Sequence, residues 1–130
     1  MQACIDKIDV IDFHQTVYYK GIKVTATAAG HVLGAAMFTI EIDGVRVLYT
    51  GDYSMEEDRH LIPGSVPPGG SPDVLIIEST FGVTTLPPRL ERESKFTSTV
   101  HNVVSRGGCC LIPVFALGRA QELLLILVGN

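Results

Sequence analysis

A layered α/β fold is predicted by the order in which strand-like and helix-like segments follow one another. Glycine-punctuated, β-rich runs occupy the first part of the chain, a continuous apolar run follows at Val74–Ile77, and helical periodicity takes over after Thr84.

Ile11 to Tyr19 is rich in β-formers and reads as a strand, with Gly21 separating it from a second run, Ile22 to Ala28. Met37 to Ile42 and Val45 to Tyr49 flank Asp43-Gly44. This is a two-residue hairpin signal, because a type I′ turn needs positive φ at both central positions. Alternation places Phe38, Ile40 and Ile42 on one face, with Thr39 and Glu41 on the other. Between Pro63 and Pro72, four prolines and three glycines in ten residues mark a solvent-exposed loop. Val74 to Ile77 has strand length and no polar alternation, the pattern of a strand covered on both faces. Pro87-Pro88 then precedes a helix from about Arg89 to Ser105, with Phe96, Val100, Val103 and Val104 on one side and Gly107-Gly108 ending it. A strand from Cys110 to Phe115 and an amphipathic helix from about Arg119 complete the order. The chain begins at Met1 without a cap or leader and stops about three turns into its last helix, so both ends are expected to be cuts.

Apolar residues make up 46% of the chain and charged residues 18%, which excludes a disordered tail. The longest apolar run, Leu123 to Val128, is far too short to span a bilayer, so no membrane partner is expected. Asp6, Lys7 and Asp9 interrupt the region where a secretory signal would be apolar. Three cysteines, two of them adjacent at Cys109 and Cys110, form neither a disulfide framework nor a CxxC zinc pair, and are expected to be buried, reduced thiols. Ten basic residues against 14 acidic ones, with no basic cluster, argue against a nucleic-acid binder that works by charge alone.

Chemistry-bearing residues gather at strand ends. His31 lies in Gly30-His31-Val32-Leu33-Gly34, where flanking glycines leave the backbone free to turn. Alone, that pattern reads first as a histidine capping a turn. Asp52 follows the strand Val45–Tyr49 through Thr50-Gly51, a position that suits either an ordinary turn residue or a ligand site. Glu78 directly follows the apolar run Val74–Ile77, where a carboxylate needs a hydrogen-bonding partner or an open mouth. One hairpin separates His31 from Asp52, so the two can meet at one sheet edge and offer a nitrogen and an oxygen donor to zinc. His14, His60 and His101 fall on a strand, a polar loop and a helix, without the spacing to complete a donor set. Glu56 to His60 reads as a solvated loop rather than a metal cluster. Arg119 opens a helix and is either a phosphate contact or a partner for Glu122.

Four segments carry a resemblance. AGHVLGAAMF (Ala29 to Phe38), LYTGDYSMEEDRHL (Leu48 to Leu61), IIESTFG (Ile76 to Gly82) and RGGCCLIPVFALGRAQELLLIL (Arg106 to Leu127) resemble the β-CASP branch of the metallo-β-lactamase superfamily. Within that branch they are similar to the endonucleases that cut pre-mRNA at its 3′ end. The resemblance implies a partial metallo-β-lactamase fold of αββα type over residues 1–81, running into the start of a β-CASP domain over residues 82–130. It further implies two zinc ions, with His31 a ligand of one and Asp52 the carboxylate bridging both. Glu78 would orient a catalytic histidine outside this chain, and Arg119 would be a weaker RNA contact. Expected partners are pre-mRNA and other subunits of the cleavage and polyadenylation complex, in the nucleus. The family's HxHxDH signature and two C-terminal histidines are absent from this sequence. A fragment is therefore expected, inactive alone, weak in zinc binding and prone to self-association through uncovered apolar surface. A related β-CASP nuclease of the Integrator type, or an inactive scaffold paralogue, are the alternatives.

Overall fold

The computed structural model describes residues 2–129. A short helix α1 (Gln2–Ile5) precedes strands β1 (Thr16–Tyr19), β2 (Ile22–Ala28), β3 (Ala36–Ile42), β4 (Val45–Tyr49) and β5 (Val74–Ile76). Helices α2 (Arg89–Ser105) and α3 (Arg119–Val128) follow. The strands form one sheet in sequence order, with β1 to β4 antiparallel and β5 parallel to β4.

Turn chemistry fixes the register. Asp43 and Gly44 have φ of 49° and 82°, the type I′ combination, and Ile42 pairs with Val45 across them. Lys20 and Gly21, at 49° and 84°, make a second turn of the same kind beneath the pair Tyr19–Ile22. With register set, the side-chain period of two sorts the faces. Val24, Ile40 and Val47 line up on one face, and Thr16, Thr25 and Thr39 on the other. On that polar face the Thr16 and Thr25 hydroxyls hydrogen-bond at 2.8 Å, and Lys23 pairs with Glu41 at 2.9 Å. The tightest packing sits at one end of the sheet, where Ala26, Thr27, Ala28, Ala29, Met37, Thr39 and Thr50 are all buried.

Several expectations need correction. Residues Ile11–Gln15 are not strand: Asp12 and Gln15 close a local turn on each other, and His14 takes a φ of 65°. The run Val74–Ile77 is about half exposed rather than covered on both faces, because β5 is an edge strand and neither α2 nor α3 packs on its faces. Cys110–Phe115 is not a strand either. A strand needs a neighbour for its backbone N–H and C=O groups; this segment has none among the described residues, and Pro113 has no N–H to donate. Cys109 and Cys110, expected to be buried, are exposed free thiols, as is Cys4 on α1. In α2 the residues Phe96, Val100 and Val103 are half-buried as periodicity predicts, whereas Val104 is exposed. Both long helices begin where the sequence places them.

Candidate metal-binding site

The packed end of the sheet carries the candidate residues. Beyond β2 the chain turns through Gly30 to Ala35 and closes with Ala29 N–H donating to the Ala35 carbonyl at 2.9 Å. The loop after β4 folds back over this turn: Ser54 N–H donates to the Ala29 carbonyl at 2.8 Å, and Gly64 N–H to the Ser54 carbonyl at 2.7 Å. Three backbones meet so closely that a Cβ on Gly30, at φ 84°, would lie 2.2 Å from the Ser54 oxygen. A Cβ on Gly64 would lie 2.8 Å from the Ala29 oxygen. Only glycine fits at either place. The interlock draws the β2–β3 turn and the β4 exit together, and His31 Nε2 comes to lie 3.8 Å from Asp52 Oδ2.

Glu78 reaches the same edge by a second route. Thr50 N–H donates to the Ile76 carbonyl at 3.1 Å, and the buried Thr50 hydroxyl donates to Gly51 O at 2.8 Å while lying 3.4 Å from the Glu78 N–H. These bonds hold the exits of β4 and β5 side by side. Tyr49, Gly51, Asp52, Ile76, Ile77 and Glu78 line a recess of about 220 Å³ there. The Glu78 carboxylate accepts from Thr80 N–H at 2.7 Å, and donors from Thr80 hold its pKa below the usual carboxylate value. The Tyr53 N–H and the nearby His31 act in the same direction. Glu78 is half-buried and lines the same recess as Asp52.

The donors can be tested against zinc. Two ligands at about 2.0–2.2 Å on one tetrahedral ion stand about 3.4 Å apart. The separation of 3.8 Å between His31 and Asp52 fits that geometry with little movement, and both side chains are open to solvent. The pair supplies two donors, and the described residues hold no group of three or more His, Cys, Asp and Glu that could bind a metal. Arg119 lies elsewhere, at the start of α3, 2.5 Å from Glu122 and largely exposed. A Cβ added at Gly118, just before it, would lie 3.0 Å from Cγ1 of Val32, the neighbour of His31.

The family model of the metallo-beta-lactamase superfamily domain matches residues 1–78, and all three strand-end residues fall inside it. The chain belongs to the metallo-beta-lactamase superfamily. It is similar to the endoribonuclease YSH1 of Yarrowia lipolytica, at 60% identity over 98% of this chain and 15% of that protein. It is also similar to the cleavage and polyadenylation specificity factor subunit 3 of Dictyostelium discoideum, at 65% identity over 98% of this chain and 16% of that protein. A third relative is the cleavage and polyadenylation specificity factor subunit 3-I of Arabidopsis thaliana, at 63% identity over 95% of this chain and 18% of that protein. The chain spans about a sixth of the length of these curated relatives.

Sequence reasoning reached His31, Asp52 and Glu78, but not the groups that hold them. Thr50 and Ser54 lie within the segment Leu48 to Leu61 that carries the resemblance, but neither is a metal-ligand type that singles it out. The one available hint was Gly64, a glycine inside a proline-rich loop, which marks close backbone approach as readily as flexibility.

Proposed function

We propose that this chain carries part of the metal site of an endoribonuclease that cuts pre-mRNA at its 3′ end, within the nuclear cleavage and polyadenylation machinery. The observation that carries the reading is the convergence of His31 and Asp52 to 3.8 Å beside an ionised Glu78. Relatives named as an endoribonuclease and as a cleavage and polyadenylation specificity factor subunit, at 60% and 65% identity, support it. His31 would hold one zinc and Asp52 would bridge two. Bound zinc would neutralise charge on the scissile phosphate and lower the pKa of water. Glu78 would orient a histidine supplied from outside this chain, fixing its tautomer by accepting its ring N–H. Residues 82–130 would begin a β-CASP domain, with Arg119 exchanging Glu122 for an RNA phosphate. Pre-mRNA and the other subunits of the complex are the partners this reading implies. Exposed apolar groups such as Leu111, Phe115 and Ile77 favour self-association of the 130-residue chain in isolation.

Titration of the purified chain with Zn²⁺ by calorimetry, run beside an RNA cleavage assay, tests the ligand count. Two donors predict weak binding that Asp52→Ala abolishes, and no cleavage. Two tightly bound ions, or metal-dependent cleavage by the chain alone, would show that the ligand set is misassigned.

A further inference from the structure

The backbones of α2 and α3 approach each other and none of the strands. Their attachment to the sheet region runs through charged side chains. Arg59, in the loop that descends from Asp52, grips Glu93 of α2 with both arms of its guanidinium, at 2.6 and 2.7 Å. Arg89 reaches the same carboxylate through Nε at 2.7 Å, and its Nη1 donates to the Glu57 carbonyl in that loop. Its Nη2 lies 3.7 Å from Glu122 of α3, which also holds Arg119. The series Arg59, Glu93, Arg89, Glu122, Arg119 alternates in sign, so each carboxylate lies between two guanidiniums. Glu93 is only 15% exposed, and its pKa is lowered to about 2 by the two arginines. A bidentate pair of this kind fixes orientation as well as distance.

The chain closes a ring through these contacts. From Asp52 the loop leads to Arg59, across Glu93 and Arg89 to Glu122, and back along α3 to Gly118, where a Cβ would lie 3.0 Å from Val32 beside His31. We infer that Arg59, Glu93 and Arg89 form a clamp that sets the placement of α2 and α3 against the edge bearing His31 and Asp52. Arg59 and Glu93 are then positioning residues. The inference concerns placement alone and stands whether or not the site cuts RNA.

Backbone ¹⁵N relaxation of the chain tests it. In the wild type the amides of β2–β4 and of α2 and α3 report one rotational correlation time. In Arg59→Ala and Glu93→Gln the value for the helices falls by roughly a factor of two to three, as for a body about a third of the size. Arg59→Lys keeps the charge but loses the two-armed grip, and is expected to show a smaller fall. Arg59 lies outside the helix, so its Ala variant decides the matter if Glu93→Gln disturbs the fold of α2. A single correlation time preserved in Arg59→Ala would overturn the clamp. An Arg59→Lys variant that keeps the wild-type single correlation time would overturn the two-armed grip, since charge alone would then hold the helices.

Discussion

The sheet of residues 16–76 and the helical region of residues 89–129 are held by different forces. In the sheet, two type I′ turns fix the register, and backbone contacts at Gly30 and Gly64 lock the loops that bear His31 and Asp52. In the helical region only Gly118 and Ile126 are buried among the described residues, and the hydrogen bonds that join it to the sheet region come from arginine side chains. The sheet region therefore specifies a site by steric exclusion, which tolerates almost no displacement. The helical region is specified by charge pairing, which yields and can be re-formed. Placement of donors to within a few tenths of an ångström belongs to the first kind of region.

The largest effect that would break this contrast comes from two glycines with similar backbone angles. Gly30 has φ 84° and would place a Cβ 2.2 Å from the Ser54 oxygen; Gly107, after α2, has φ 76° and nothing within 4 Å. Gly30→Ala adds overpacking to the left-handed penalty and is expected to cost about 3 kcal/mol. Gly107→Ala carries the left-handed penalty alone, about 1–2 kcal/mol. Urea unfolding midpoints for both variants check the difference. Equal losses would mean that the backbone interlock is not what tightens this end of the sheet.

The same contrast explains what the sequence could reveal. Asp43-Gly44 announces its turn because few residue pairs accept positive φ twice, and both helix starts are legible from prolines, glycines and periodicity. Lys20-Gly21 was harder to read, since lysine carries no preference for φ 49° and the following strand must impose it. Segment Cys110–Phe115 has strand composition but no partner, and composition cannot report a missing neighbour. His31 and Asp52 were legible as a pair because one hairpin separates them. Their spacing was not, because it is set by Ser54, Gly64 and Thr50 from a loop without a repeating pattern. The clamp was illegible for a related reason: Glu56 to His60 looks like a solvated run of charge, and only the fold brings Glu93 to Arg59.

An intermediate effect sharpens the account of how Glu78 is placed. Thr50→Val keeps the shape of a buried side chain and removes the hydroxyl that faces Gly51 O and the Glu78 N–H. The expected loss is about 1 kcal/mol, because a half-buried carbonyl and amide lose a partner together. Amide hydrogen exchange at Glu78 should quicken while exchange in β2 and β3 stays as it was. Unchanged exchange at Glu78 would mean that β5 is held by the Thr50–Ile76 backbone bond alone.

The smallest expected effect tests the ionic side of the comparison through pH. Glu93 has a folded pKa of about 2 against an ordinary 4.5, with the Arg59 hydrogen bond the largest cause and the Arg89 hydrogen bond the next. A carboxylate whose pKa is lower in the folded chain than in the unfolded one stabilises the fold in its ionised form. That contribution is fully present above about pH 4.5 and is lost as the pH falls from there toward 2. Glu93→Gln removes it at every pH. The stability difference between wild type and Glu93→Gln should therefore be constant above pH 5 and shrink below it. Because Arg59 and Arg89 are each about one-third exposed, water screens the pair, and the difference at neutral pH is expected to be about 1 kcal/mol or less. Other carboxylates also titrate in this window, which is why the difference between the two proteins, rather than either curve alone, carries the test. Chemical denaturation at a series of pH values from 3 to 7 gives it. A difference that does not narrow between pH 5 and pH 3 would mean that Glu93 acts by packing and not by charge, and the helical region would then resemble the sheet after all.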